Sequence, residues 1–319
     1  MYTVGELFAG IGGIGLGFQK AGFSLSWANE IDEKACHTYR KNFKHLLINE
    51  DMTKVNPSTL SKVDILTGGF PCQAFSIAGY RKGFKDDRGN LFFDILRYIK
   101  ILKPRVVFLE NVKNLSSHDH GNTFKVIQNK LKEAGYYIKS QVMNTSHYSD
   151  VPQNRERIYI VCFRNKKDYD SFEFPQKTNN VKPVTNFLED EADKSFYYTN
   201  TPMYQQLKNE IVDHNKIYQW RRHYVRENKS FLCPTLTANM GTGGHNVPLI
   251  LDKKDIRKLT PRECARFQGF PDKFVLPDDL PKSALYKQIG NSVSVPVIYA
   301  IAKNIKKALD NNDTDKKEE

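Results

Sequence analysis

A thiol at Cys72, a carboxyl at Glu110 and guanidinium groups at Arg155 and Arg157 are the side chains of this chain placed to do chemistry. Cys72 lies in Gly68-Gly69-Phe70-Pro71-Cys72-Gln73-Ala74-Phe75-Ser76, just past the apolar run Val63-Asp64-Ile65-Leu66. A turn beyond a strand end holds a thiol outside the sheet, where ligands of α/β folds sit. Glu110 follows Val106-Val107-Phe108-Leu109, and Arg155 and Arg157 precede Ile158-Tyr159-Ile160-Val161, so both groups also fall at sheet edges. A thiol near cations ionises more readily, and a neighbouring acid can take up charge that develops on a substrate. That set suits nucleophilic addition followed by elimination.

Alternating strands and helices must position these groups. Strands are predicted at Tyr2 to Phe8, Leu25 to Ala28, Val63 to Leu66, Val106 to Leu109, Tyr137 to Asn144 and Arg157 to Phe163. Helices are predicted at Gly13 to Lys20, Glu33 to Asn42, Leu91 to Leu102 and Asn122 to Ala134. Leu91, Ile95, Leu96, Ile99 and Leu102 recur near a period of 3.6, and Lys103-Pro104 ends that helix. The order predicts an α/β fold with a mostly parallel sheet covered on both faces. After Phe163 the pattern becomes polar and irregular. Regular structure returns at Leu259-Thr260-Pro261-Arg262-Glu263, where Thr260 and Glu263 form a capping-box pattern. A last helix is expected from Val295 to Leu309, then a disordered tail.

The first predicted strand runs into Leu7-Phe8-Ala9-Gly10-Ile11-Gly12-Gly13-Ile14-Gly15. Gly10, Gly12 and Gly15 satisfy a G-x-G-x-x-G pattern, and Glu30 ends the next strand, where an acid can hold ribose hydroxyls. This loop alone does not separate a nicotinamide cofactor from S-adenosylmethionine.

The chain has 319 residues, 48 Lys and Arg against 36 Asp and Glu, and a net charge of +12. Excess base favours a polyanionic partner, although a solvated basic surface gives the same count. Five cysteines, Cys36, Cys72, Cys162, Cys233 and Cys264, contain no Cys-x-x-Cys pair. A disulfide framework and a metal site are therefore not expected, and a reducing cytoplasm is. Cys36, Cys162, Cys233 and Cys264 read as small buried hydrophobes. No run approaches a membrane span, and the N-terminus lacks a signal-peptide pattern.

Taken in order, the glycine loop, Asn29-Glu30, Asp51, Pro71-Cys72, Glu110-Asn111-Val112, Gln153-Asn154-Arg155-Glu156-Arg157 and Tyr286-Lys287-Gln288-Ile289-Gly290-Asn291-Ser292-Val293 resemble the DNA cytosine-5 methyltransferases. The resemblance spans nearly the whole chain and is densest in residues 3 to 165 and 257 to 300. It implies a Rossmann-like S-adenosylmethionine-dependent methyltransferase with a small, irregular β-rich target-recognition domain. The implied boundaries are 1–164 for the catalytic and cofactor-binding part, 165–256 for recognition, 257–309 for the return to the catalytic part, and 310–319 for the tail.

By the same resemblance, Cys72 is the nucleophile, Glu110 contacts cytosine N3, Arg157 binds O2, Arg155 supports the cysteine loop or the base, and Asn111 positions that loop. S-adenosylmethionine is expected at Phe8, Gly10, Gly12, Gly13, Glu30, Ile31, Asp51, Met52, Pro71, Leu91, Asn291, Ser292 and Val293, with no metal. Duplex DNA is expected at Gln73, Ser76, Arg81, Arg221, Arg222, Arg226, Thr235, Thr237, Asn239 and Gly243. The implied protein is a cytoplasmic, monomeric enzyme of a bacterial or phage-infected cell, with a cognate restriction endonuclease as a genetic partner. Three rivals remain open: an RNA cytosine methyltransferase of the same fold, a nicotinamide oxidoreductase, and a DNA binder without catalysis. The oxidoreductase leaves Pro71-Cys72 and Glu110-Asn111-Val112 without a role.

Overall fold

The computed structural model describes residues 1–70, 91–178, 180–221, 223–241 and 247–318. Pro71, Cys72, Gln73, Ser76, Arg81, Arg222 and Gly243 lie outside the described residues.

Seven strands form the main sheet: β1 (Thr3–Leu7), β2 (Ser24–Asn29), β3 (Leu46–Ile48), β4 (Ile65–Gly69), β5 (Val106–Val112), β6 (Tyr137–Asn144) and β7 (Glu156–Phe163). Their order is β3-β2-β1-β4-β5-β7-β6. The first five are parallel, and β7 runs antiparallel between β5 and β6. The chain leaves β1 toward β2 on one side and returns as β4 on the other. This switch opens a crevice above the carboxyl ends of β1 and β4.

Val106, Val107, Phe108 and Leu109 of β5 are fully buried, as expected for a strand covered on both faces. One cover contains α3 (Leu91–Leu102) and α4 (Asn122–Glu133), packed with β-strand residues such as Leu66 and Val107. The other contains α1 (Gly13–Lys20), α6 (Lys166–Ser171) and α10 (Val295–Glu318). There Ile14, Phe18, Ile298 and Ile301 share a core with Val4 and Phe108. A third core joins α2 (Glu33–Asn42) to α8 (Pro261–Phe267), α9 (Lys282–Asn291) and Leu236. The short helices α5 (Thr145–Tyr148) and α7 (Tyr204–Glu210) sit on either side of α6 in the chain.

The segment after β7 builds a four-stranded antiparallel sheet from β8 (Tyr218–Trp220), β9 (Val225–Glu227), β10 (Leu249–Leu251) and β11 (Ile256–Lys258), ordered β11-β10-β8-β9. The capping box at Thr260 and Glu263 is present, with Pro261 in the first turn.

Three features depart from expectation. β3 has no counterpart in the predicted strands. Glu110 lies within a strand and not after one: it pairs with Gly69 of β4 on one side and Tyr159 of β7 on the other, and β7 carries the ladder of β5 on to Val112. The last helix continues past Leu309 to Glu318, and Asp313 accepts hydrogen bonds from Arg105 at 2.8 and 2.9 Å and from Tyr2 at 2.7 Å. No helix is long and apolar enough to cross a membrane among the described residues.

Candidate active site

The crevice at the switch point is a cleft of about 380 Å³ lined by Phe8, Gly10, Glu30, Asp32, Gly69, Phe70, Glu110, Asn111, Arg155, Arg157, Lys287, Gln288, Gly290 and Asn291, among others. Six separate stretches of chain therefore meet at one place.

The glycine loop forms the first wall. Gly12 caps α1 with φ of 89°, a conformation that glycine adopts without strain, and the Phe43 ring stands where a Cβ would be. A Cβ on Gly13 would lie 2.6 Å from Ser292 Oγ and 2.9 Å from Val293 Cγ2, so the closing motif packs directly on the loop. Glu30 follows the last residue of β2. Its carboxylate accepts from the Gly10 amide at 2.7 Å and the Asp32 amide at 2.8 Å.

The opposite wall carries Glu110, Asn111, Arg155 and Arg157. Glu110 on β5 and Arg157 on β7 stand diagonally across the antiparallel ladder, where side chains on one face can meet. Arg157 Nε approaches Glu110 Oε1 to 3.2 Å, yet that buried oxygen has no hydrogen bond among the described residues. Burial raises the Glu110 pKa, and the charges of Arg157 and Arg155 work against this. Asn111 donates to the Phe70 carbonyl at 2.8 Å and accepts from the Val112 amide at 2.8 Å. It thus fixes the backbone two residues before Cys72.

Both terminal nitrogens of Arg155 are committed to backbone. Its Nη1 donates to the Leu236 carbonyl at 2.7 Å, and its Nη2 to the carbonyls of Gly290 (3.3 Å) and Ser292. Burial, with help from Arg157, pushes its pKa down to about 9. Arg155 therefore acts as a tie between segments.

A family model described as "C-5 cytosine-specific DNA methylase" matches residues 2–307. The chain belongs to the C-5 cytosine-specific DNA methylase family. It is 54% identical over 316 residues to "Type II methyltransferase M.Bsp6I" of Bacillus sp. (strain RFL6), covering 97% of this chain and 100% of that one. It is 40% identical over 321 residues to "Type II methyltransferase M.HhaI" of Haemophilus parahaemolyticus, covering 95% and 94%. The S. pombe Dnmt2 methyltransferase crystal structure shares the fold, with a TM-score of 0.76 at 20% identity, covering 97% of this chain and 99% of that one. Membership of the family implies use of S-adenosylmethionine.

Other expected site residues of this C-5 cytosine-specific DNA methylase fall less centrally. Asp51 Oδ1 accepts from the Thr53 amide and hydroxyl, both at 2.9 Å, and Asp51 does not line the cleft. Met52 is buried, and its carbonyl accepts from Arg97 and Tyr98. Ile31 is 63% exposed, unusual for so apolar a side chain beside a cleft. Leu91 opens α3 and is half-buried.

Arg221 and Arg226 are exposed on and beside the small sheet, and Arg221 donates to Gln219 at 3.0 Å. Thr235 donates to the Asn154 carbonyl at 2.6 Å, and Thr237 to Asn239 at 2.6 Å. The run that begins at Thr235 is thereby pinned to the residue just before Arg155. Cys36, Cys162, Cys233 and Cys264 are free and buried, as expected of structural thiols.

Sequence reasoning missed Asp32, Phe70, Lys287 and Gln288 as cleft residues. Lys287 donates to Asp32 at 3.0 Å across the cleft rim, and Gln288 accepts from Thr38 at 2.8 Å. Lys287 and Gln288 sat inside the closing motif, so their proximity to Asn291 was the available signal.

Proposed function

We propose that this enzyme transfers a methyl group from S-adenosylmethionine to C5 of a cytosine flipped out of a short, specific duplex DNA sequence, through a covalent bond between Cys72 and C6. The observation that carries the reading is Glu110. It is a buried carboxyl with one oxygen free of hydrogen bonds, held by Arg157 in the same cleft as the glycine loop.

Cytosine C5 is a weak nucleophile, and addition of a thiolate at C6 makes the ring enamine-like. The negative charge that develops at N3 needs a proton or a hydrogen-bond donor. A carboxyl whose pKa is raised by burial stays protonated further into the working pH range and can supply one. Arg157 would stabilise O2, and Asn111 would hold the cysteine loop through Phe70. Arg155 would keep the recognition run and the closing motif in register with the base pocket.

The residues present fit the methyl donor. Among the described residues nothing stands within 4 Å of where a Cβ on Gly10 would be, which leaves room beside the Glu30 carboxylate for a ribose. Phe8, Glu30 and the Asn291–Val293 turn would hold the nucleoside and amino-acid ends, and Asp32 and Lys287 would close the rim. The bound donor supplies an electrophilic methyl group. The base must leave the helix to reach the cleft. Arg221, Arg226, Thr235, Thr237 and Asn239, with Gln73, Ser76, Arg81, Arg222 and Gly243, would contact its flanking DNA. Protection of cytoplasmic DNA from a paired restriction nuclease is the biological role this reading supports.

A duplex carrying 5-fluorocytosine at the target position tests the mechanism. Fluorine leaves no C5 proton to remove, so the adduct should persist after methyl transfer and survive a denaturing gel. Mass spectrometry should locate it on the Cys72 peptide, and Cys72→Ser should abolish both the trap and turnover while DNA binding persists. An adduct that still forms in Cys72→Ser rejects the nucleophile and the mechanism together.

A further inference from the structure

The glycine loop is strung between two carboxylates. At its start the Gly10 amide donates to Glu30, which faces the cleft. At its end the Gly15 amide donates at 2.9 Å to Glu6, a fully buried side chain on the central strand β1. The fit is close: a Cβ on Gly15 would lie 2.7 Å from Glu6 Oε2. Tyr39 of α2 donates to that same oxygen at 3.2 Å, and the Tyr39 hydroxyl lies 2.7 Å from Nε2 of the half-buried His45.

No arginine or lysine offsets the Glu6 charge by a salt bridge among the described residues. The groups that face it are the Gly15 amide from α1, Tyr39 from α2 with Cys36 and His45 behind it, and Glu30 from beyond β2. Burial raises its pKa to about 7, the Gly15 and Tyr39 hydrogen bonds oppose that, and the Glu30 charge adds to it. A carboxylate in dry surroundings responds strongly to any nearby change of charge.

We propose that Glu6 is a positioning residue that couples the charge of the methyl donor to a proton held beneath the glycine loop. The inference rests on the S-adenosylmethionine reading. The donor carries a sulfonium charge, and the product after methyl transfer is a neutral thioether. Bound sulfonium favours ionised Glu6, so a proton leaves as the donor binds. The product lacks that charge, so Glu6 takes a proton back. The line Glu6–Tyr39–His45 can reverse its hydrogen bonds in concert: ionised Glu6 accepts from Tyr39, and protonated Glu6 donates to it while Tyr39 donates to His45. The loop amide of Gly15 keeps its acceptor in both states. The consequence is that donor is preferred over product more strongly as pH rises.

Titration calorimetry on the full chain tests this, with S-adenosylmethionine and S-adenosylhomocysteine each measured in buffers of different ionisation enthalpy. Between about pH 6 and 8 the donor should release a larger fraction of a proton than the product, and the donor-to-product affinity ratio should rise several-fold. Glu6→Gln should erase both differences while still binding. Tyr39→Phe removes a hydrogen bond that favours the ionised form, so it should move the maximum difference to higher pH. Equal proton release for the two ligands in the unaltered protein overturns the coupling, as does a difference that survives Glu6→Gln. If Glu6→Gln does not fold, a maximum unmoved in Tyr39→Phe overturns it equally. Loss of binding heat for both ligands in the unaltered protein would instead reject the cofactor reading on which the coupling stands.

Discussion

Arg257 and Glu263, at the junction of β11 and α8, meet through hydrogen bonds of 2.8 and 2.7 Å. Both oxygens of Glu263 are then completed by the amides of Glu189 and Thr260, each at 2.8 Å. Asp252 takes the remaining Nε of Arg257 at 2.5 Å. Arg157 and Glu110, in the cleft, approach only to 3.2 Å, and Glu110 Oε1 is left without a donor. Both pairs are arginine–glutamate contacts largely shielded from solvent, one between a strand and a helix and the other across two strands. One is saturated and the other keeps spare hydrogen-bonding capacity. A buried polar atom without a partner costs stability, and under the proposed mechanism the spare capacity of Glu110 is what a substrate atom would use.

The contrast breaks most visibly at Glu110. Glu110→Gln should lower kcat by about 10²- to 10⁴-fold, the range lost with a general acid. Folding should not suffer. With its pKa raised, Glu110 contributes stability that is present at low pH and is lost as pH rises through the raised value. Glutamine has no proton to lose, so chemical denaturation near and above neutral pH should find the variant at least as stable as the unaltered protein. A clear drop in stability there would make Glu110 a structural residue.

The saturated pair should behave in the opposite sense. Glu263→Ala leaves Arg257 buried without its bidentate partner, a change that costs about 3 to 5 kcal/mol in comparable cases. Denaturant midpoints should fall accordingly, while the fraction that remains folded should turn over at near-normal rate. A folded Glu263→Ala protein with greatly reduced kcat would erase the distinction between the two pairs.

The smallest effect expected is at Glu30, which spends its carboxylate partly on the loop and partly on the cleft. Glu30→Ala should weaken S-adenosylmethionine binding by about 1.5 to 3 kcal/mol, the range for hydrogen bonds to a charged group, and leave DNA affinity in place. Calorimetry showing unchanged cofactor affinity would remove Glu30 from the site.

The sheet and its helices were legible because their apolar periods are long. Glu33–Asn42 and Leu91–Leu102 appear at the predicted bounds. β3 was not legible, since three residues cannot display alternation, and β8 to β11 are equally short. The end of α10 read as a disordered tail, but Asp313 has a partner in Arg105, 208 positions away. The candidate site was legible as a set of residue types in order. Its spatial logic was not: nothing local marks Arg155 as a tie to Leu236 and Ser292, or Glu6 as the acid beneath the loop. Both depend on contacts that only the folded chain brings together.

The bonds made by Arg155 also bear on how such proteins can be recombined. Leu236 lies in the segment expected to read DNA, but its carbonyl is held by β7's approach, and Gly290 of α9 packs against the backbone of Thr237 too closely to admit a side chain. Gln153 adds a bridge to Cys233 and a bond to the Phe267 carbonyl. The segment expected to read DNA is therefore no bead on a string. A graft cut at the domain boundaries would sever this knot. One that exchanges only the stretches before Cys233 and after Thr237 would leave the socket intact and let a borrowed reading head plug into it.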